Sequence, residues 1–173
     1  MIASGHSSVG VIIALSVERI VPATTPLWQK ALLVFVFSFI SHYLTDFIPH
    51  GHYTAKIDPN KWWTNYPLMI DLIGFAALFG IIALWQFGFT EPTLLIVVGI
   101  AAAQLTDIWD WFIVARGWVP LRGMVKKHRK LHELIHWHST TDEQGKRHGL
   151  PISWIDIWQV GAFFAALYLL LTV

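Results

Sequence analysis

Histidine and aspartate recur at helical spacing along this chain. His42 and Asp46 are four residues apart and Asp107 and Asp110 three apart, so each pair shares one face wherever its segment is helical. His128, His132 and His136 repeat in four-residue steps and would form one stripe on a short basic helix. Imidazole nitrogens and carboxylate oxygens are the donor set of zinc, manganese and iron sites. The chain has nine His and no Cys. Thiolate zinc knuckles, C-x-x-C redox pairs and Cys nucleophiles are thereby excluded by inventory, and any metal must be held by nitrogen and oxygen.

The composition says what kind of element positions these residues. Of 173 residues, 55% are hydrophobic and 13% charged, with a mean hydropathy of +0.53; soluble domains carry about 25% charged residues. This argues against a disordered segment, a disulfide scaffold and an ordinary soluble domain. A bilayer core about 30 Å thick needs about 20 apolar residues in a helix. Five runs reach or approach that length: Ala3 to Val21, Trp28 to Ile48, Pro67 to Phe87, Thr93 to Ala115 and Trp154 to Val173. The expected fold is a single all-α domain over 1–173, a polytopic transmembrane bundle of about five helices with a basic, His-rich loop or short helix over 116–150.

Five crossings put the N-terminus, the 49–66 loop and the 116–150 segment on one face. The 22–27 turn, the Gly88 to Pro92 turn and the C-terminus fall on the other. The first face holds Lys56, Lys61, Arg116, Arg122, Lys126, Lys127, Arg129, Lys130, Lys146 and Arg147, and only Arg19 and Lys30 lie opposite. By the positive-inside rule that face is cytoplasmic, so the chain reads as a multi-pass cytoplasmic (inner) membrane protein. The same threading gathers every His there: His6 opens the first helix, His42 ends the second, His50 and His52 follow it, and His128, His132, His136, His138 and His148 lie in the 116–150 segment. Asp46, Asp71, Asp107, Asp110 and Asp156 fall at the same level.

Charged groups at membrane depth are costly, and those that persist pair, face a bundle interior or bind an ion. His6, His42, Asp46, His50, Asp107, Asp110, His128, His132 and His136 are therefore the candidate metal ligands. The set exceeds one tetrahedral ion, so the expected cofactor is a divalent metal, zinc first, as one or two ions, with manganese or iron as alternatives.

The most specific string runs Ser41-His42-Tyr43-Leu44-Thr45-Asp46-Phe47-Ile48-Pro49-His50-Gly51-His52. Pro49 and Gly51 end the helix at the membrane surface, and the turn could fold His50 or His52 back toward His42 and Asp46. With the Gly5-His6 opening, the Leu105 to Asp110 segment and the His128-Arg129 to His132 stretch, this string resembles the small multi-pass proteins classed as membrane-bound metal-dependent hydrolases. The spacing of His42, Asp46 and His52 is also similar to the H-x-x-x-D-x-x-x-x-x-H ligand string of zinc-dependent phospholipase C and related nucleases. The resemblance touches most of the chain, through short motifs. It implies a metal-dependent hydrolase with His6, His42, Asp46, Asp107 and His128 or His132 as ligands.

The function expected is hydrolysis of a phosphoester or other ester in a lipid-linked small-molecule substrate at the cytoplasmic headgroup level. Asp71 or Glu133 would handle protons, and Arg129 or Lys127 would hold a phosphate. Membrane lipids are the expected partners. Nucleic acid is not expected, because the basic segment has few interleaved aromatics. The rival readings are a metal or proton transporter or sensor, a metalloprotease built on His132-Glu133-Leu134-Ile135-His136, and a membrane di-iron oxygenase, whose H-x-x-H-H doublets are absent. No G-x-S-x-G elbow, phosphate loop or dinucleotide fingerprint is present.

Overall fold

In the computed structural model the described residues are 3–48, 70–108, 130–131, 134–135, 140–141, 147–148 and 156–172. They form five helices: α1 (Ala3–Ile20), α2 (Leu27–Phe47), α3 (Phe75–Phe87), α4 (Glu91–Ile108) and α5 (Ile157–Thr172). A π-helical turn, Ile70–Gly74, leads into α3. Each helix coincides with one of the five apolar runs, and local chemistry sets the ends. Pro22 and Pro26, which lack an amide donor, separate α1 from α2, and the Thr25 amide closes the turn on the Pro22 carbonyl at 2.9 Å. Gly88, at φ 64°, ends α3 in the left-handed region that glycine tolerates. Thr93 Oγ1 donates to the Gly88 carbonyl at 2.7 Å and fixes the corner into α4.

α1 is the central helix and packs against the other four. Val11, Ala14, Leu15 and Val17 of α1 join Val34 of α2, Phe79 and Ala83 of α3, Leu95, Ile96 and Ile100 of α4, and Ala166 and Leu170 of α5 in one buried cluster. Phe163 of α5 packs on Phe75 and Phe79, with ring centroids 5.5 and 5.6 Å apart.

Two glycines decide how closely α1 and α4 approach. A Cβ on Gly10 would lie 2.5 Å from the Gly99 carbonyl oxygen, and one on Gly99 would run into the Gly10 carbonyl. The backbones touch there, as small residues permit at helix crossings.

At the end of the bundle where α1 finishes, Lys30 of α2 is buried, with Nζ 2.7 Å from Glu91 Oε1 of α4 and 3.2 Å from Glu18 Oε2 of α1. One ammonium thus ties three helices. Glu18 and His6 are twelve residues apart on α1, as are Lys30 and His42 on α2, which puts the clamp roughly 18 Å from the imidazoles. Lys30→Met leaves the two carboxylates facing each other without a counter-charge, and it should lower the midpoint of thermal unfolding in detergent. Adding Glu91→Gln to Lys30→Met should recover part of the loss, because the residual repulsion is then removed.

Among the described residues α2 is the helix both long and apolar enough to cross a bilayer. α3 and α5 are apolar but shorter, at 13 and 16 residues. In the His-rich segment, residues 130–131 and 134–135 are helical. Thr140 and Thr141 there pair antiparallel with His148 and Arg147, a two-residue ladder where a loop or short helix was expected.

Candidate metal centre

His6 sits near the start of α1, and that start is held from outside. Asp71 Oδ1 accepts the Ser4 backbone amide at 2.9 Å, taking up one of the amides that a helix N-terminus leaves without a partner. The Gln104 side-chain amide of α4 donates to Ser7 Oγ. His42 and Asp46 share one face of α2, as their spacing predicts, and Asp107 comes from the last turn of the described part of α4. Gly10 lies one turn from His6 on α1, while Gly99, Ala103 and Asp107 form a four-residue stripe on α4. The backbone contact at Gly10 and Gly99 therefore brings Asp107 over His6 and the Ala103 carbonyl against His42.

The four side chains converge. His6 Nε2 lies 3.2 Å from Asp46 Oδ1 and 3.7 Å from Asp107 Oδ2. His42 Nε2 lies 3.1 Å from Asp46 Oδ2 and 3.9 Å from Asp107 Oδ1. The two imidazoles stack, with centroids 4.1 Å apart and planes 23° from parallel. His6, His42 and Asp46 are at most 1% exposed, whereas Asp107 is 35% exposed, so the centre opens to its surroundings on the Asp107 side.

The outer contacts settle the tautomers. His42 Nδ1 is 2.9 Å from the Ala103 carbonyl oxygen, which can only accept, so Nδ1 carries the proton. Thr45 Oγ1 donates to the Ser41 and His42 carbonyls at 2.8 and 2.9 Å. Its lone pair is left for His6 Nδ1 at 3.3 Å, which again must be the donor. Both rings then turn Nε2 toward two carboxylates, and in the neutral form of each ring that nitrogen carries the lone pair. Lone pair facing carboxylate is repulsive without a cation between them, and donating the second ring nitrogen to an outer acceptor is how metal-binding His is oriented. The N···O separations of 3.1–3.9 Å bracket the edges of a tetrahedral coordination shell whose bonds are about 2.0–2.2 Å, roughly 3.3–3.6 Å. The donor set and its spacing fit a divalent cation of the zinc, manganese or iron type.

Thr45→Val keeps the shape of the side chain and removes the acceptor for His6. If the cluster holds a metal, this should weaken its binding about 10–100-fold, the usual effect of losing an outer-sphere partner, with helicity unchanged. Chelator competition followed by circular dichroism measures both.

Of the residues singled out from sequence, His6, His42, Asp46 and Asp107 are brought together, and Asp71 anchors the helix that carries His6. His50, Asp110, His128, His132, Glu133 and His136 lie outside the described residues. Ser8 and Ser41 direct their hydroxyl protons to the Ser4 and Ser38 carbonyls within their own helices, at 2.7 and 2.8 Å. The sequence reading missed Thr45 and the Gly10–Gly99 crossing. The small residues Gly99 and Ala103, four apart on an apolar helix, were the available signal for the crossing. The Ala103 carbonyl offered none, since every residue has one.

Fold and site together define a helical bundle with a His/Asp cluster at one end, whose His6, His42 and Asp107 could hold a metal ion. Comparison with protein-family models, with characterised proteins and with solved structures finds no match to this chain.

Proposed function

We propose that the protein is a membrane-embedded, metal-dependent hydrolase that cleaves a phosphoester or other ester of a lipid-linked substrate at the cytoplasmic headgroup level. The observation that carries this reading is the convergence of His6, His42, Asp46 and Asp107, with both Nε2 atoms facing the two carboxylates. A divalent cation bound there supplies a Lewis acid and lowers the pKa of its bound water toward neutrality. The chain's own part is to present two imidazoles and two carboxylates from three helices to bound metal, with His6, His42 and Asp46 buried and the Asp107 side accessible to a headgroup. Asp71 is held against the start of α1, where it sets the position of His6, and Glu133, Arg129 and Lys127 remain the proposed proton and phosphate groups.

The membrane part of the reading rests on the outer surface. α2 turns Trp28, Leu32, Phe37, Leu44 and Phe47 outward, each more than half exposed. α3 and α5 do the same with Ile81, Trp85, Phe164 and Tyr168. Apolar surface of this extent on several helices suits lipid, and in a polytopic bundle the site falls near the helix ends, at headgroup level. The apolar layer of Val11, Ala14, Leu15, Val34, Ile96 and Ile100 between the site and the Lys30 clamp speaks against a polar path across the bilayer, which a transporter needs.

The test is elemental analysis of the detergent-purified full chain. Assays against phospholipid and a generic phosphodiester follow, with and without chelator. The reading expects bound divalent metal and chelator-sensitive hydrolysis. Absence of stoichiometric metal in the wild type, or unchanged metal content in His42→Ala and Asp46→Ala, overturns it.

A further inference from the structure

The geometry points to two cations in this centre, one on each imidazole, bridged by both carboxylates. The inference rests on the metal reading above and deepens it.

An imidazole lone pair lies in the plane of its ring, so a bound ion must lie in or near that plane. His6 and His42 are stacked, centroids 4.1 Å apart and 23° from parallel. Planes so placed meet roughly 10 Å from the rings, whereas an ion sits about 2.1 Å from the nitrogen that binds it. A single ion cannot occupy both planes at that distance. Each ring addresses its own position, and the two positions are separated by about the ring spacing. Metal pairs in two-metal hydrolytic sites are about 3.5–4 Å apart, which matches.

The carboxylates make the same division independently. Asp46 presents Oδ1 to His6 and Oδ2 to His42; Asp107 presents Oδ2 to His6 and Oδ1 to His42. One ion therefore takes His6 Nε2, Asp46 Oδ1 and Asp107 Oδ2, and the other takes His42 Nε2, Asp46 Oδ2 and Asp107 Oδ1. Each carboxylate spans the pair with one oxygen per ion, so neither has to choose between the rings. Three protein donors per ion leave at least one position open on each, as a catalytic rather than a structural site requires. Two divalent ions against two carboxylates leave a net charge of +2 in a largely buried site. An anionic phosphoester, able to give one oxygen to each ion through the open side at Asp107, is the substrate class that answers both the charge and the spacing.

The experiment strips the full chain in detergent with chelator, reloads it with Mn²⁺ or Zn²⁺ alone, and counts ions per chain by equilibrium dialysis. The Mn²⁺ form is then examined by electron paramagnetic resonance. Two ions per chain with a spin-coupled Mn²⁺ pair are expected. His6→Asn and His42→Asn each keep a short amide that can replace the Nδ1 hydrogen bond while deleting the Nε2 donor. Each variant should retain one ion and lose the coupling, and the double variant should retain none. One ion per chain with an uncoupled spectrum, lost entirely in either single variant, overturns the bridged pair and leaves the metal reading standing. No bound ion in the wild type overturns both.

Discussion

Asp46→Asn should give a folded protein that no longer binds the proposed metal, with the proposed hydrolysis reduced by more than the roughly 100-fold that removal of an outer-sphere partner costs. Asp46 is 1% exposed and, among the described residues, is the carboxylate within 3.2 Å of both imidazoles. The amide has the same shape. Its NH₂ can donate to whichever Nε2 lone pair it faces, so the cluster stays satisfied without a cation and α2 has no reason to unwind. What disappears is one negative charge and one carboxylate oxygen, and with them the attraction that would draw a divalent ion out of water. Metal content and circular dichroism separate the outcomes. Retained metal sinks the assignment of Asp46 as a ligand, and lost helicity would mean that the carboxylate serves the fold instead.

Gly99→Ala should be the most damaging single-methyl substitution away from the ligands. Alanine favours a helix interior over glycine by about 1 kcal/mol, so in open surroundings the change would stabilise. Here the added Cβ meets the Gly10 backbone, and backbone cannot rotate away as a side chain can. Overpacking of this kind costs about 1–3 kcal/mol, and relief comes by moving α4 off α1. That movement carries Asp107 and the Ala103 carbonyl with it. The variant should therefore show a lower unfolding midpoint and, at temperatures where it is still folded, weaker metal binding. Gly80→Ala in α3 is the control, because a Cβ there meets nothing within 4 Å; it should be neutral or stabilising by about 0.5–1 kcal/mol. Equal behaviour of the two variants would show that the crossing is not what sets the site.

Much of the fold was legible beforehand. Five apolar runs became five helices; beside Pro22, Pro26 and Gly88 the ends agree within two residues, and in the third run the α-helix begins at Phe75 after the π-helical turn Ile70–Gly74. The fourth apolar run extends to Ala115, and its residues 109–115 lie outside the described residues. Within the site, His42 and Asp46 were legible as a pair because a four-residue step puts both on one face whatever the rest of the bundle does. His6 and Asp107 were legible only as members of a layer. The Lys30 clamp was not anticipated, since Glu18, Lys30 and Glu91 are far apart in sequence and looked like ordinary charges near helix ends.

By itself the sequence determined which stretches are helical and, through the alternation of apolar runs and turns, that His6, His42, Asp46 and Asp107 lie at corresponding helix ends. Helix length and hydropathy carry that information, because both are local. Which imidazole faces which carboxylate oxygen was decided by the tertiary structure. That depends on how far each helix is rotated about its own axis and how near its neighbour lies. The rotation is set by Gly10 against Gly99, by Gln104 on Ser7 and by Asp71 on the Ser4 amide, contacts between residues dozens of positions apart that no local pattern encodes.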